Sequence, residues 1–425
     1  YMTIFIDENI PYLPQALKTI ADVTTFNFKE LNNERLIKSK CQFLFTRSTI
    51  KVNSTLLDGT EVKFVGTSTI GTDHIDLDYL LKRKIYFCSA PGSNANSVAE
   101  YVIFAVLHWL IKNNYSPEGK TIGIVGYGNI GKLVQKHVSE IFPEMKILVN
   151  DPPLKDKDFI FPQGVEYCEL DELIKRSNLI TNHVPKEKNG KYPIINLFNE
   201  NNLKLLKKNS LFIHSSRGGV VDETAILNEK KKKEIMLITD VWANEPYVNR
   251  ELLIQSEIAT PHVAGHSWNG KIRGSIMMLK QFEEFTGMDV DLSEMKEFIS
   301  NSEKEFEVIL DEFNKYEDVK NFNNNLNFPK VGKLSESNSN NNDLMYSNKD
   351  IDSQYFRKVS LLSESLKKNN VTSTLYEHLR NSRQIFQDTE EFKTTADLTE
   401  EERATKFNLM RRNYPKRFET LDYQC

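Results

Sequence analysis

Residues 121–151 read TIGIVGYGNIGKLVQKHVSEIFPEMKILVND, and this stretch decides the fold. The β-branched apolar run 121–125 is followed by a glycine-rich turn, and apolar residues recur at helical spacing after Asn129. A second apolar run, residues 146–149, ends at Asp151. The order strand, tight turn, helix, strand predicts a βαβ unit of a doubly wound parallel sheet.

The glycines of this turn have the spacing G-x-G-x-x-G, and each predicts a separate role: a tight turn, close approach of the backbone to a pyrophosphate, and close packing of helix on strand. The unpaired backbone amides at the N-terminus of the helix that follows can donate hydrogen bonds to the phosphates of a dinucleotide. A carboxylate at Asp151 can bind both ribose hydroxyls and repel a 2′-phosphate, which favours NAD over NADP. An ordinary βαβ turn is the alternative. The residues expected at the cofactor are Gly126, Gly128, Asn129, Ile130, Gly131 and Asp151.

Charge and cysteine content exclude several classes of protein. The 425 residues carry a net charge of −4, which gives no reason to expect nucleic acid or an anionic membrane as partner. The four cysteines are scattered without a CxxC pair, so neither a metal site nor a disulfide framework is indicated, and a reducing, cytoplasmic setting fits best. The most apolar segment, residues 101–111, is too short to span a bilayer and predicts a buried helix. The N-terminus lacks the basic start and long apolar core of a signal peptide.

Strand and helix patterns alternate along most of the chain. Apolar runs at 2–6, 42–46 and 62–65 are each followed by polar residues, which is where an open α/β sheet binds its ligand. A long apolar helix begins after Asn94, so we expect the chain to cross into a second domain near residues 91–96 and to return near His262. Further strands are predicted at 179–182, 211–214 and 236–239, and the lysines 230–233 are interpreted as a solvated helix end.

The chain changes character after Gly287. A charged amphipathic helix pattern at 292–313 is followed by Asn-rich stretches and by a helical pattern at 355–366. Thr399 and Glu402 form a capping box that predicts a helix through Met410, and residues 421–425 alternate as in a strand. We therefore expect a C-terminal α+β domain, interpreted as an interaction or dimerisation region because no chemistry is visible in it.

Three segments of the second domain end in polar residues at the side where a nicotinamide would lie. They are HSSRGGVVD with Arg217, TDVWANEP with Glu245, and TPHVAGH with His262. Hydride transfer from a hydroxy acid needs a base, a cation to orient the carboxylate, and a group that tunes the base. The guanidinium can hold a carboxylate bidentately, and a carboxylate beside an imidazole orients the ring. Each residue alone has a structural alternative, but together they supply one of each group.

At this point the chain resembles the D-2-hydroxyacid dehydrogenases, which use Arg, Glu and His in this order after a Rossmann glycine motif. The resemblance covers most of residues 1–287 and also the end of the chain, in segments such as IDENIPY, KFVGTSTIGTDHID, APGSNANSVAEYV, SSRGGVVD, TPHVAGHSWNGKIRG and LMRRNYPKRFETLDY. It implies two Rossmann-like parallel-sheet domains with an active-site cleft between them, plus the C-terminal domain. The implied boundaries are 1–93 with 263–287 for substrate binding, 94–262 for NAD binding, and 288–425 for homodimerisation.

The resemblance also implies residue roles and a reaction. It implies catalytic roles for Arg217, Glu245 and His262, NAD contacts for Asp151, Asp240, Gly265 and the backbone of Val184, and substrate contacts for Ser48 and Thr69. The cation of Arg47 beside these hydroxyls suits a phosphate-bearing substrate, and His266 can donate a hydrogen bond to the phosphate. His266 stands where the family usually has Tyr, and Val184 where it usually has Thr. The implied reaction is NAD-dependent oxidation of 4-phospho-D-erythronate, as in vitamin B6 synthesis. The alternatives are another dehydrogenase acting on phosphoglycerate, glyoxylate or hydroxypyruvate, and a non-catalytic dinucleotide-sensing protein.

Overall fold

The computed structural model describes residues 2–185, 191–305, 307–315 and 371–421. These residues fall into two compact units, residues 2–93 with 269–315 and residues 94–268 with 371–421. Each unit contains one parallel sheet whose strands are connected through helices. The two α/β sheets expected from the alternating pattern are therefore confirmed.

The first unit has five parallel strands in the order β2-β1-β3-β4-β5. The strands predicted at 2–6, 42–46 and 62–65 are present, displaced by one or two residues. The strands are β1 Thr3–Asp7, β2 Asp22–Phe26, β3 Phe43–Thr46, β4 Phe64–Thr67 and β5 Tyr86–Cys88, and the helices between them are α1 Leu13–Leu17, α2 Asn33–Lys38, α3 Ser54–Leu57 and α4 Leu77–Lys82.

The second unit has seven parallel strands in the order β12-β11-β10-β9-β6-β7-β8, which is the doubly wound order of a dinucleotide-binding sheet with one strand added. The predicted strands of this unit have the observed bounds, except that β7 is one residue longer. The strands are β6 Thr121–Val125, β7 Lys146–Asn150, β8 Val165–Tyr167, β9 Leu179–Asn182, β10 Leu211–His214, β11 Met236–Thr239 and β12 Ile258–Ala259. The helices are α5 Ala95–Lys112, α6 Asn129–Ile141, α7 Pro152–Lys155, α8 Leu170–Arg176, α9 Glu200–Leu203, α10 Glu223–Lys233 and α11 Arg250–Gln255.

Helix α5 is the buried helix that the apolar run predicts. Every residue from Ala95 to Leu110 is buried, because the helix is apolar on all sides and packs against α6 and β10. The polar groups inside it have partners: the two ring nitrogens of His108 bond to Glu257 at 2.9 Å and to Tyr376 at 3.0 Å. Among the described residues, no helix is both long enough and apolar enough to cross a membrane.

The chain returns to the first unit after Trp268, six residues later than the predicted crossing at His262. The loop 263–268 belongs to the second unit because its backbone is bonded there: Asp240 accepts the Val263 amide, and the Ser97 hydroxyl donates to Ala264. The returning helix is α12 Trp268–Thr286, followed by α13 Ser293–Ser302 and by helical residues 307–315. The single helix predicted at 292–313 is therefore two, because the chain is extended at Glu303, whose carboxylate accepts a hydrogen bond from Tyr12.

The described part of the C-terminal region is helical and does not form a third compact unit. Its helices are α14 Val371–Arg383, α15 Ile385–Thr394 and α16 Glu400–Arg412. The predicted capping box is confirmed, since Thr399 and Glu402 bond to each other's backbone at the start of α16. The helical pattern at 355–366, the Asn-rich stretches and residues 422–425 lie outside the described residues. Dimerisation through residues 288–425 stays a prediction.

Candidate active site

The glycine-rich turn has the geometry that its spacing predicts. Gly126 has φ +89°, a conformation that favours glycine, and a Cβ there would lie 2.8 Å from the backbone of His183. A Cβ at Gly131 would overlap the carbonyl of Gly126, so this glycine lets α6 pack closely on β6. At Gly128 no described atom lies within 4 Å of the position that a Cβ would take. The backbone there is open to approach by a ligand.

Asp151 lies beside this turn, at the end of β7. Its carboxylate accepts a hydrogen bond of 2.7 Å from the Tyr127 amide and another of 3.1 Å from the Leu154 amide. The first bond joins the acid to the glycine turn, and the second caps α7. An open backbone at Gly128, the start of α6 at Asn129 and a carboxylate at the adjacent strand end together fit the phosphates and ribose of a dinucleotide.

Alanine at Gly128 and at Gly131 should have different effects. Gly128→Ala is expected to leave the free energy of unfolding nearly unchanged and to weaken NAD binding at least about tenfold, the effect of about 1.4 kcal/mol of lost contact. Gly131→Ala is expected to destabilise the fold by about 1–3 kcal/mol, because its Cβ would overlap backbone. Urea unfolding and NAD titration measure the two effects. Unimpaired NAD binding by Gly128→Ala would contradict the assignment of this turn to the cofactor.

The three predicted catalytic residues follow three neighbouring strands. Arg217 follows β10, Glu245 lies after β11, and His262 lies after β12. Strands of a parallel sheet end on the same side, so the topology brings these loops together. Gly218 lets the Arg217 loop pack closely against the loop that carries Glu245, since a Cβ at this position would overlap the carbonyl of Trp242.

His262 and Glu245 form a hydrogen-bonded pair. Nδ1 of His262 lies 2.8 Å from one carboxylate oxygen of Glu245 and 3.0 Å from the other. An ionised carboxylate only accepts hydrogen bonds, so Nδ1 carries a proton and Nε2 is the nitrogen that can exchange one. The pair is partly exposed, at 29% for the His262 side chain and 20% for that of Glu245. This is the arrangement of a general base with an orienting carboxylate.

The charge state of Glu245 is set by its neighbours. Burial acts to raise the pKa of Glu245, but the hydrogen bond and charge of His262, the Trp242 amide and the charge of Arg411 outweigh it. The pKa of Glu245 is therefore below its ordinary value, which keeps the carboxylate ionised as the partner of the imidazole.

His262 is held in an unusual backbone conformation, with φ +57°. Its amide donates to the carbonyl of Asp240 at 2.8 Å. The buried carboxylate of Asp240 accepts further hydrogen bonds from the Thr260 hydroxyl at 2.6 Å and from the amides of Val263 and Ala264 at 2.8 and 3.1 Å. Asp240 thus fixes the loop on both sides of His262, which the sequence did not indicate. The NAD contact expected of Asp240 stays a prediction.

Arg217 is half-buried, and its Nη1 donates to the carbonyl of Ser216 at 2.8 Å.

Val184 lies at the turn after β9 that faces Gly126, and a Cβ at Gly126 would come 3.0 Å from the amide nitrogen of Val184. Gly265 faces the start of α5, since a Cβ there would overlap the side-chain amide of Asn94. The cofactor contacts expected of Val184 and Gly265 stay predictions.

The predicted substrate residues of the first unit follow two paired strands. Arg47 and Ser48 come directly after β3, and Thr69 comes shortly after β4. The Thr69 hydroxyl lies 2.8 Å from that of Thr67. Desolvation by burial lowers the pKa of Lys271 on α12, and the positive charge of Arg47 lowers it further.

His266 contacts a residue that the sequence did not suggest. Its ring packs edge to face against that of Tyr414, with centroids 5.5 Å apart, and its carbonyl accepts a hydrogen bond of 3.1 Å from Nε of Arg417. The stretch 409–421 thus brings side chains to the loop that carries His262. The only indication in the sequence was its three arginines and its aromatic residues.

Comparisons with known proteins identify the relatives of the chain. Residues 107–264 match the family model described as D-isomer specific 2-hydroxyacid dehydrogenase, NAD binding domain. The erythronate-4-phosphate dehydrogenase of Wigglesworthia glossinidia brevipalpis is 40% identical over 287 residues, which are 67% of this chain and 74% of that protein. The enzyme of the same name from Shewanella violacea is 38% identical over 294 residues, covering 69% and 74%.

Solved structures show the same fold. The D-lactate dehydrogenase of Aquifex aeolicus, in complex with NAD and lactic acid, is 25% identical and superposes with a TM-score of 0.52 over 67% of this chain and 95% of that one. The putative D-isomer specific 2-hydroxyacid dehydrogenase of Polaromonas is 18% identical, with a TM-score of 0.56 over 68% and 97%.

Proposed function

The chain belongs to the erythronate-4-phosphate dehydrogenases, a branch of the D-isomer specific 2-hydroxyacid dehydrogenase family, and we propose on this basis that it oxidises 4-phospho-D-erythronate with NAD. The product is 2-oxo-3-hydroxy-4-phosphobutanoate, in the route to pyridoxal 5′-phosphate (vitamin B6). The observation that carries the proposal is the His262–Glu245 pair beside the Arg217 loop, because a dinucleotide-sensing protein has no use for a base, an orienting acid and a cation together.

In the proposed reaction, Nε2 of His262 takes the proton of the C2 hydroxyl. NAD, when bound, accepts the hydride that leaves C2. Glu245 keeps the proton on Nδ1 and compensates the positive charge that the imidazole gains. Arg217 holds the substrate carboxylate through two parallel hydrogen bonds and polarises the developing carbonyl at C2.

The proposal assigns the first unit to the substrate and the second to NAD. The cofactor residues are those of the glycine turn with Asp151, Val184, Asp240 and Gly265. Ser48 and Thr69 donate hydrogen bonds to the substrate, Arg47 contributes charge to the phosphate, and His266 contacts the substrate. The charge of Arg47 acts on Lys271, which supports an anion near these two cations.

The first experiment is NAD reduction by the purified protein with 4-phospho-D-erythronate, with a 2-oxo acid in a parallel tube to recycle retained cofactor. We expect turnover with this substrate that exceeds turnover with 3-phosphoglycerate, glycerate or glycolate. Activity confined to one of those acids would replace the proposed substrate. No turnover of any acid, with NAD still bound, would favour the dinucleotide-sensing alternative.

We also propose a homodimer in the cytoplasm. The resemblance of the C-terminal region supports dimerisation, and light scattering should give twice 49.2 kDa. Cys41, Cys88 and Cys168 are buried free thiols, which supports a reducing compartment.

A further inference from the structure

The C-terminal segment, residues 411–417 (RRNYPKR), packs against the loop that carries His262 and His266. Arg417 fixes one end: its Nε donates to His266, its Nη2 donates to the Ser97 hydroxyl at 2.5 Å, and its Nη1 lies 3.4 Å from the buried Glu100. Its carbonyl accepts the Trp268 amide at 2.6 Å. The ring of Tyr414 covers His266 from the middle of the segment. The segment is thus a fixed neighbour of the catalytic loop.

Aromatic packing fixes the other end of the segment, against the loop that carries Glu245. The ring of Trp242 contacts Phe392 at 5.6 Å between centroids, and Phe392 contacts Phe407 on α16 at 5.9 Å. The Arg411 guanidinium lies over Phe407, 5.6 Å from the ring centre. From there its charge acts on Glu245, the partner of His262.

Arg411 has a hydrogen-bond donor without an acceptor. Within the described ranges, its Nε is buried and makes no hydrogen bond. The nearby Arg403 differs, because its Nε donates to Thr395 and its Nη2 to Leu398. A buried unsatisfied donor costs about 1–3 kcal/mol, and more when it is charged, so a ligand that accepts a hydrogen bond from this Nε would offset the cost. An anion bound beside Glu245 and His262 would do so.

We propose that Arg411 binds the phosphate of the substrate and so makes the enzyme specific for phosphorylated 2-hydroxy acids. This inference rests on the proposed function. The substrate has two anionic groups, and Arg217 is assigned to the carboxylate. The cofactor phosphates belong to the glycine turn after β6, three strands and about 14 Å away from β11 at about 4.8 Å per strand. The substrate phosphate, to which Arg47 is also proposed to contribute charge, is the remaining anion near His262, and a guanidinium binds phosphate bidentately.

The test compares Arg411→Gln with Arg412→Gln, a matched control that removes the same charge from the exposed next residue. Each variant is assayed with 4-phospho-D-erythronate and with D-erythronate, which lacks the phosphate. For Arg411→Gln we expect kcat/KM to fall about 100-fold with the phosphorylated acid, the loss of about 3 kcal/mol of charged hydrogen bonds, and to change less than about threefold with D-erythronate. Arg412→Gln should match the wild type with both acids.

Equal losses with both acids would overturn the proposal, because a residue that acts only through Glu245 or through folding does not distinguish the two. So would an Arg411→Gln protein that behaves like Arg412→Gln. If the wild type turns over neither acid, the proposed function fails by itself, and Arg411 is then judged by calorimetric titration of the NAD-loaded proteins with inorganic phosphate. Weaker phosphate binding by Arg411→Gln alone supports the proposal, and equal binding by the three proteins overturns it.

Discussion

His262→Ala is expected to lower kcat by about 10³-fold, within the range of 10²–10⁴ that a positioned general base contributes, while leaving the Kd for NAD unchanged. The loss should fall on kcat because Nε2 of His262 is the proposed acceptor of the hydroxyl proton, whereas the glycine turn and Asp151 are unchanged. Alanine and histidine both carry a Cβ, so the left-handed backbone of residue 262, φ +57°, is no reason to expect relief of strain, and urea unfolding of the variant controls for a folding defect. Stopped-flow NADH formation and NAD titration measure the two quantities.

His378→Ala is the matched control, because His378 is exposed on α14. It should retain wild-type kcat. Wild-type turnover by His262→Ala would exclude His262 as the base.

Arg217→Lys is expected to lower kcat/KM about 100-fold although the charge is kept. Lysine cannot reproduce two parallel hydrogen bonds to a carboxylate, and charge-assisted hydrogen bonds are worth about 1.5–3 kcal/mol each, so a loss of about 3 kcal/mol is expected. The Arg217 loop also packs closely against Trp242, so a displaced cation would also disturb the loop that carries Glu245. Steady-state kinetics with 4-phospho-D-erythronate provide the measurement.

Arg380→Lys is the matched control, because Arg380 is exposed and the same change in size is made at constant charge. It should retain the wild-type kcat/KM. In Arg217→Ala, added guanidinium should restore part of the lost rate, because the cation can occupy the vacated position. A loss below about threefold in Arg217→Lys, or rescue by ammonium as effective as by guanidinium, would show that Arg217 supplies only charge.

Local patterns in the sequence determined the parts of this protein that depend on neighbouring residues. Two such features are the glycine turn and the capping box of α16. Each is formed by residues a few positions apart, so the spacing of those residues is enough to predict the local structure. Strand bounds in the second unit followed from short apolar runs bounded by polar residues. The sequence also supplied Arg217, Glu245 and His262 as a set, because parallel strands all end on one side.

Tertiary structure alone decided how these residues are held. Asp240 binds the loop around His262 through groups 20 to 24 positions away, and this keeps residues 263–268 in the second unit. The charge of Arg411 acts on Glu245 from 166 positions away in the chain, and the ring of Tyr414 packs against His266 from 148 positions away. Such contacts leave no local periodicity, because they depend on which helix packs against which loop. The sequence therefore determined the sheets and the set of residues predicted to react, and packing decided the backbone of His262 and the side chains around it.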